Sequence, residues 1–380
     1  MGNQLKKKGK EKKTKNDSKN VKEKEEEIPG NERIKEEDYP DAKFLKEEKS
    51  LSKVNLVEIN RQTHTLEKGI KDPIVSVITH PNFIDSVIIA TKQGKIKLFT
   101  NITRYHSKND NEFILYDFKK ETSSLILLKK NNNKICVGSE GCLSILIIES
   151  EKTANLDTIL KNNKIKEPAL LEQENGNIIS AGLPIILWKK NLNDYKESNI
   201  IENDLECNFI NILEFPEIKK ILVTQENTHL IYYLQYKDNN SGLELIKKIE
   251  DIASIGYKNS AQKLSNNFMI LIGKFRFNVI DALNGEVCND YPGIDRAAII
   301  NLTEYEDDTE NIWVISEYQG EFFEFYTQQG NDLVFLDRVN LKESKKISWK
   351  NTLVKINKEC FVAVNWHGEI IAFKMNLSKM

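Results

Sequence analysis

Short apolar runs alternate with polar turns along most of the chain, and one arrangement recurs. In SVIIATKQGKIKLF, residues 86–99, a continuous apolar run leads into a glycine turn and then an alternating run. The first reads as a strand buried on both faces, the second as a strand with one face covered. The arrangement returns in KICVGSEGCLSILII, NIISAGLPIILWK, KILVTQENTHLIYYL, FMILIGKFRFNVI, NIWVISEYQGEFFEF and ECFVAVNWHGEIIAF, making seven copies. Between the copies lie further β-type runs, such as PIVSVITH (73–80), NEFILYDF (111–118) and SSLILLKK (123–130). Each unit therefore contains about four short strands joined by Asn, Gly, Asp or Lys turns, as in antiparallel meanders.

The turns align at Gly94, Gly141, about Leu183, about Thr228, about Arg276, Gly320 and Gly368, with gaps of 47, 42, 45, 48, 44 and 48 residues. A period of roughly 40 to 50 residues with four strands per unit predicts propeller blades. Helical solenoids are excluded because no helix-period segment recurs, and sandwiches do not repeat at a fixed period. The expected fold is all-β, a seven-bladed β-propeller over residues 51–380. The last copy stops at EIIAFKMN, residues 369–376, one strand short of a full unit. The unpaired run VNLVEIN, residues 54–60, is expected to supply that strand and close the ring, because a propeller otherwise leaves an open edge at its seam.

From about residue 52 to 380 the chain resembles the WD40 family of β-propellers, in degenerate form. The resemblance rests on the period, the four-strand units and the aromatic end of the third strands at Phe99, Trp188, Phe325 and Phe373. No Trp-Asp or Gly-His dipeptide occurs, so the family's hydrogen-bond network between those residues is not carried over. A propeller of another family, such as the quinoprotein type, is the alternative.

Composition adds a second region. Residues 1–50 are nearly devoid of apolar runs: eight lysines against Glu11 and Asp17 give the first twenty positions a charge of +6, and the next thirty hold eleven acids against seven bases. Such a segment cannot bury enough apolar surface to offset its ordering entropy and is expected to be disordered, with one short helix possible after Pro40. Gly2 followed by a lysine cluster is a candidate lipidation position, which would supply both signals for membrane anchoring, although Lys6 stands where that motif has Ser or Thr. The same lysines fit a nuclear localisation patch, or simply a solvated charged tail.

The net charge of -2 argues against a nucleic-acid or membrane field over the whole molecule. Five scattered cysteines without a C-x-x-C spacing read as reduced core thiols. With no apolar run of membrane-spanning length and no secretory signal pattern, the expected location is cytoplasmic. The five histidines show no metal-ligand spacing, and no P-loop, nucleophile elbow or zinc-protease motif is present. Asp307 and Asp308 read as a solvated turn, so no catalytic residue, cofactor or metal is expected.

The candidate surface is a set of turns. Those between second and third strands should share one face of the ring, and three consecutive ones carry Phe275, Arg276, Tyr318, Trp366 and His367. Aromatic residues and Arg dominate interface energies. The expected function is a non-catalytic scaffold or adaptor for protein partners, working within a complex, with membrane contact only through the tail. The alternatives are a cofactor-binding or enzymatic propeller, and a nucleic-acid-associated factor recruited by its basic tail.

Overall fold

The computed structural model describes residues 54–63, 72–104, 111–182, 184–192, 194–201, 209–225, 230–237, 242–249, 260–265, 267–293, 295–303, 311–317, 320–341, 352–365 and 368–377. The charged tail, its expected short helix and Gly2 lie outside them. The described strands form seven four-stranded antiparallel sheets. In chain order, six blades occupy residues 74–117, 122–161, 169–201, 209–249, 261–292 and 296–340. The seventh combines Thr352–Lys355, Cys360–Val364 and Glu369–Leu377 with the chain's first described strand, Val54–Thr63. The first strand of each blade touches the first strands of both neighbouring blades, and that of blade 7 touches that of blade 1, so the innermost strands close a ring.

The period-2 pattern explains the ring. Alternate residues of a strand point to opposite faces, so in blade 1 Ile88 and Ala90 pack against blade 2, while Val87 and Ile89 pack against blade 7. The buried side chains fall into seven clusters, and every one joins two adjacent blades. Phe99, Trp188, Phe325 and Phe373, the aromatic residues of the third strands, are all buried in these seams.

A second recurring feature is a register shift between the third and fourth strands of every blade, for example between Ile96 and Lys97, Ile145 and Leu146, and Phe325 and Tyr326. A bulge bends the strand and increases its twist, which splays the outer strands toward the longer perimeter of the ring.

Polar side chains pin the blades together where first strands end. Glu172 of blade 3 accepts the backbone N–H groups of Lys129 and Lys130 in the turn of blade 2. Glu214 of blade 4 accepts Gln173 Nε2 at 3.0 Å and the Glu174 N–H at 3.1 Å in the turn of blade 3. Lys263 of blade 5 lies 3.9 Å from Glu217 of blade 4, and Lys355 of blade 7 donates to the Thr303 carbonyl of blade 6. All four are cross-strand partners of residues buried in the seam with the preceding blade, Ile178, Ile221, Met269 and Phe361. The position is therefore equivalent, while its charge follows what the neighbour offers: a carboxylate meets N–H groups, an ammonium meets oxygen.

The N-terminal strand closes the ring as expected from its sequence, and it extends to Thr63. It pairs antiparallel with Glu369–Leu377, from Val54 opposite Leu377 to Thr63 opposite Glu369. Its flanks also tie in the neighbours. The Val54 N–H donates to Asp337 of blade 6 at 2.8 Å, and Asn60 Nδ2 donates to the Ile102 carbonyl of blade 1 at 3.0 Å. Deleting residues 51–62 should therefore lower the melting temperature by more than about 10 °C, since each kcal/mol lost is worth a few degrees in a domain of this size. A truncated protein that melts normally in calorimetry would refute the closure.

Candidate interaction surface

Within each blade the strands alternate in direction. The turns between second and third strands therefore lie on the same face as the links to the next blade's first strand, here the upper face. In blade 5 this turn is tight. Ile272 pairs with Phe277, and the Gly273 N–H donates to the Arg276 carbonyl at 3.2 Å, leaving Lys274 and Phe275 at the tip. Phe275 has φ = 64°, a left-handed conformation that Gly94, Gly141, Gly320 and Gly368 adopt in the corresponding turns of other blades. For a residue with a Cβ this costs about 1–2 kcal/mol, and a bulky aromatic there is an outlier. Its side chain is 47% exposed, so it does not fill space between blades.

Gly293 and Arg296 hold this turn from beside it. The Gly293 N–H donates to the Phe275 carbonyl at 2.8 Å, and the Arg296 N–H to the Gly273 carbonyl at 3.4 Å. A Cβ on Gly293 would lie 2.9 Å from the Arg296 guanidinium, so a larger residue there would have to push that group aside. Arg296 itself is buried. Its Nε donates to Glu324 at 2.9 Å, and its guanidinium lies 4.9 Å above the Phe277 ring. Glu324 also accepts Arg338 at 2.6 Å and the Tyr326 hydroxyl at 3.2 Å. Burial alone would raise the Glu324 carboxyl, but Arg296 and Arg338 outweigh it and hold it below the usual carboxylate range. Removing one partner of such a buried pair typically costs about 3–5 kcal/mol, so the base beneath the turn is rigid.

Asp295, next to Arg296 in the chain, has a buried Oδ1 that accepts no hydrogen bond from the described residues. Burial pushes its carboxyl up from 3.8 to about 6, against the pull of Lys274 and with Glu317 adding to the rise. Arg276 sits 3.6 Å from Asp290, both partly exposed, an ion pair worth about 0–1 kcal/mol and easily exchanged for a partner's charge. The surface around Phe275 thus offers one projecting aromatic ring among charges of both signs. Among the described residues, no three His, Cys, Asp or Glu side chains gather to hold a metal ion.

Of the residues singled out in the sequence, the structure places Phe275 and Arg276 side by side on the upper face. Tyr318, Trp366 and His367 lie outside the described residues, although Glu317 and Gly320, and Asn365 and Gly368, which flank them, belong to this face. The sequence alignment placed the blade 5 turn at about Arg276, whereas Arg276 opens the third strand and Phe275 holds the glycine-like position. The signal was present: Gly94, Gly141 and Gly368 each stand immediately before a third strand. The Arg296–Glu324 pair and Asp295 carried no sequence signal, because their partners come from other strands.

No protein-family model matches the chain, and no curated protein matches it in sequence. Among solved structures 1162 chains match, so the likeness marks an architecture shared by many proteins. One is Raptor from Chaetomium thermophilum, at a TM-score of 0.62 and 11% identity, a match covering 86% of this chain and 30% of that one. At that identity the similarity is one of fold.

Two outcomes follow from this geometry. Phe275→Gly should be about 1 kcal/mol more stable than Phe275→Ala in chemical denaturation, and equal stabilities would refute the left-handed turn. The raised carboxyl of Asp295 contributes stability below pH about 4 that is lost as pH rises through about 6. Asp295→Asn should therefore be more stable than wild type at neutral pH by about 1 kcal/mol, discounted for partial exposure. The advantage should disappear in acid, and a pH-independent difference in melting temperature would contradict this assignment.

Proposed function

We propose that this protein is a non-catalytic cytoplasmic scaffold of the WD40-like type, which binds protein partners through the upper face of blades 5 to 7 and works as part of a complex. The observation that carries the proposal is Phe275, a large apolar side chain held in solvent by a turn conformation that favours glycine. Strain of this kind is found where function requires a particular side chain at a particular place. The buried Arg296–Glu324 pair, joined by the partly exposed Arg338, makes the presentation rigid, so little ordering entropy would be lost on binding. Arg276 beside the ring supplies the other residue type that dominates binding energies, and the shared fold with many solved propellers is consistent with such a scaffold.

A pull-down with the full-length chain tests this. Phe275→Ala with Arg276→Ala, and separately Tyr318→Ala with Trp366→Ala, should each lower partner recovery at least about tenfold, the equivalent of about 1.4 kcal/mol. A chain lacking residues 1–50 should recover the same partners as wild type. Equal recovery by every bait, or recovery that depends on the tail, would refute a propeller-borne partner.

A further inference from the structure

We propose that Lys120 and Cys142 are the two ends of a reversible, oxidant-dependent covalent cross-link on the upper face. Lys120 lies in the link between blades 1 and 2, and Cys142 opens the third strand of blade 2. The Lys120 Nζ is 2.7 Å from the Cys142 Sγ, inside the separation of about 3–3.5 Å at which held groups are poised to react. Both backbones are fixed. The Phe118 N–H donates to the Gly94 carbonyl at 3.0 Å and the Thr122 N–H to the Lys92 carbonyl at 3.1 Å, on either side of Lys120. Next to Cys142, the Gly141 N–H donates to the Ile165 carbonyl at 3.0 Å, and its carbonyl accepts the Asn162 N–H at 3.1 Å. The amine and sulfur are thus kept together by two separately anchored segments.

The other described cysteines differ. Cys136 is fully buried and Cys360 largely so, and burial pushes both thiols up, away from the reactive thiolate. Cys288 is exposed in an outer strand, with the Glu286 carbonyl at 3.8 Å. Cys142 is as buried as Cys360, with the Ser144 hydroxyl 3.9 Å from its sulfur, and differs from the other cysteines in the amine held beside it.

The chemistry takes two balanced steps with hydrogen peroxide as oxidant. The Cys142 sulfur attacks the peroxide, the O–O bond breaks, and sulfenic acid and water form; the sulfur loses two electrons and the peroxide gains them. Lys120, after giving its extra proton to solvent, attacks that sulfur. The S–O bond breaks, the hydroxyl leaves as water with a proton from the amine, and an S–N bond remains. A thiol reductant attacks the same sulfur, gives its proton to the departing amine and forms a mixed disulfide; a second thiol then releases the Cys142 thiol and the reductant's disulfide, so the link is reversible. Its effect is to pin the blade 1 to blade 2 link onto blade 2.

The test uses the full chain with Cys288→Ser, treated with hydrogen peroxide, digested and mapped by mass spectrometry. The expected product is a peptide pair joined through residues 120 and 142, lighter than the sum of its parts by two hydrogens and separated by dithiothreitol. Adding Lys120→Arg should abolish the joined peptide and leave a sulfenic acid on Cys142 that dimedone captures. No joined peptide in the parent protein, or equal dimedone capture with and without Lys120→Arg, would overturn the proposal.

Discussion

Among the described residues, no blade of this ring has a hydrophobic core of its own. A four-stranded sheet with apolar residues on both faces must cover both, and here each face is covered by the sheet next to it. Every cluster of buried side chains is a seam between two blades, so the burial that stabilises the protein exists only while neighbours are in place. At about 25 cal/mol per Å² of apolar surface removed from water, an uncovered blade face would be the most costly defect the fold could contain. Closure of the ring is therefore a condition of stability, and the strand Val54–Thr63 meets it by completing the blade made from the other end of the chain.

That constraint also explains how the repeat can be regular in shape and irregular in sequence. A seam requires apolar residues of suitable volume at alternate positions, and many combinations of Ile, Leu, Val, Phe and Ala fill it. The pins at the ends of the first strands behave likewise. Glu172 and Glu214 meet backbone N–H groups, whereas Lys263 and Lys355 occupy the equivalent position and meet oxygen. Either charge serves at this position when the group opposite it matches. A closed ring of this kind therefore needs no recurring signature dipeptide.

Against this background the blade 5 turn is an exception. In the corresponding turns of blades 1, 2, 6 and 7 glycine takes the left-handed position, at Gly94, Gly141, Gly320 and Gly368. Blade 5 puts Phe275 there and supports it with Gly293, Arg296 and Glu324, a base that costs two desolvated charges and needs Arg338 and Tyr326 to satisfy the carboxylate. Local strain together with a buried polar support is the combination expected where a surface residue has a task beyond folding.

The sequence by itself determined the all-β class, the seven units, their four strands and the role of residues from Val54 onward in closing the ring. These follow from the alternation of residues along each strand and the period between turns, both properties of the local chain. It also singled out Phe275 and Arg276, since aromatic residues in turns are conspicuous, but set the turn one residue late, because residue type at that position does not reveal φ. Only the tertiary structure decided which residues of different strands meet, within a blade or across a seam. Arg296 with Glu324, Glu172 with the Lys130 backbone, and Lys120 with Cys142 stand 28, 42 and 22 residues apart. Such pairs are fixed by how strands are placed within a blade and between neighbouring blades, and no spacing rule within one strand can report them.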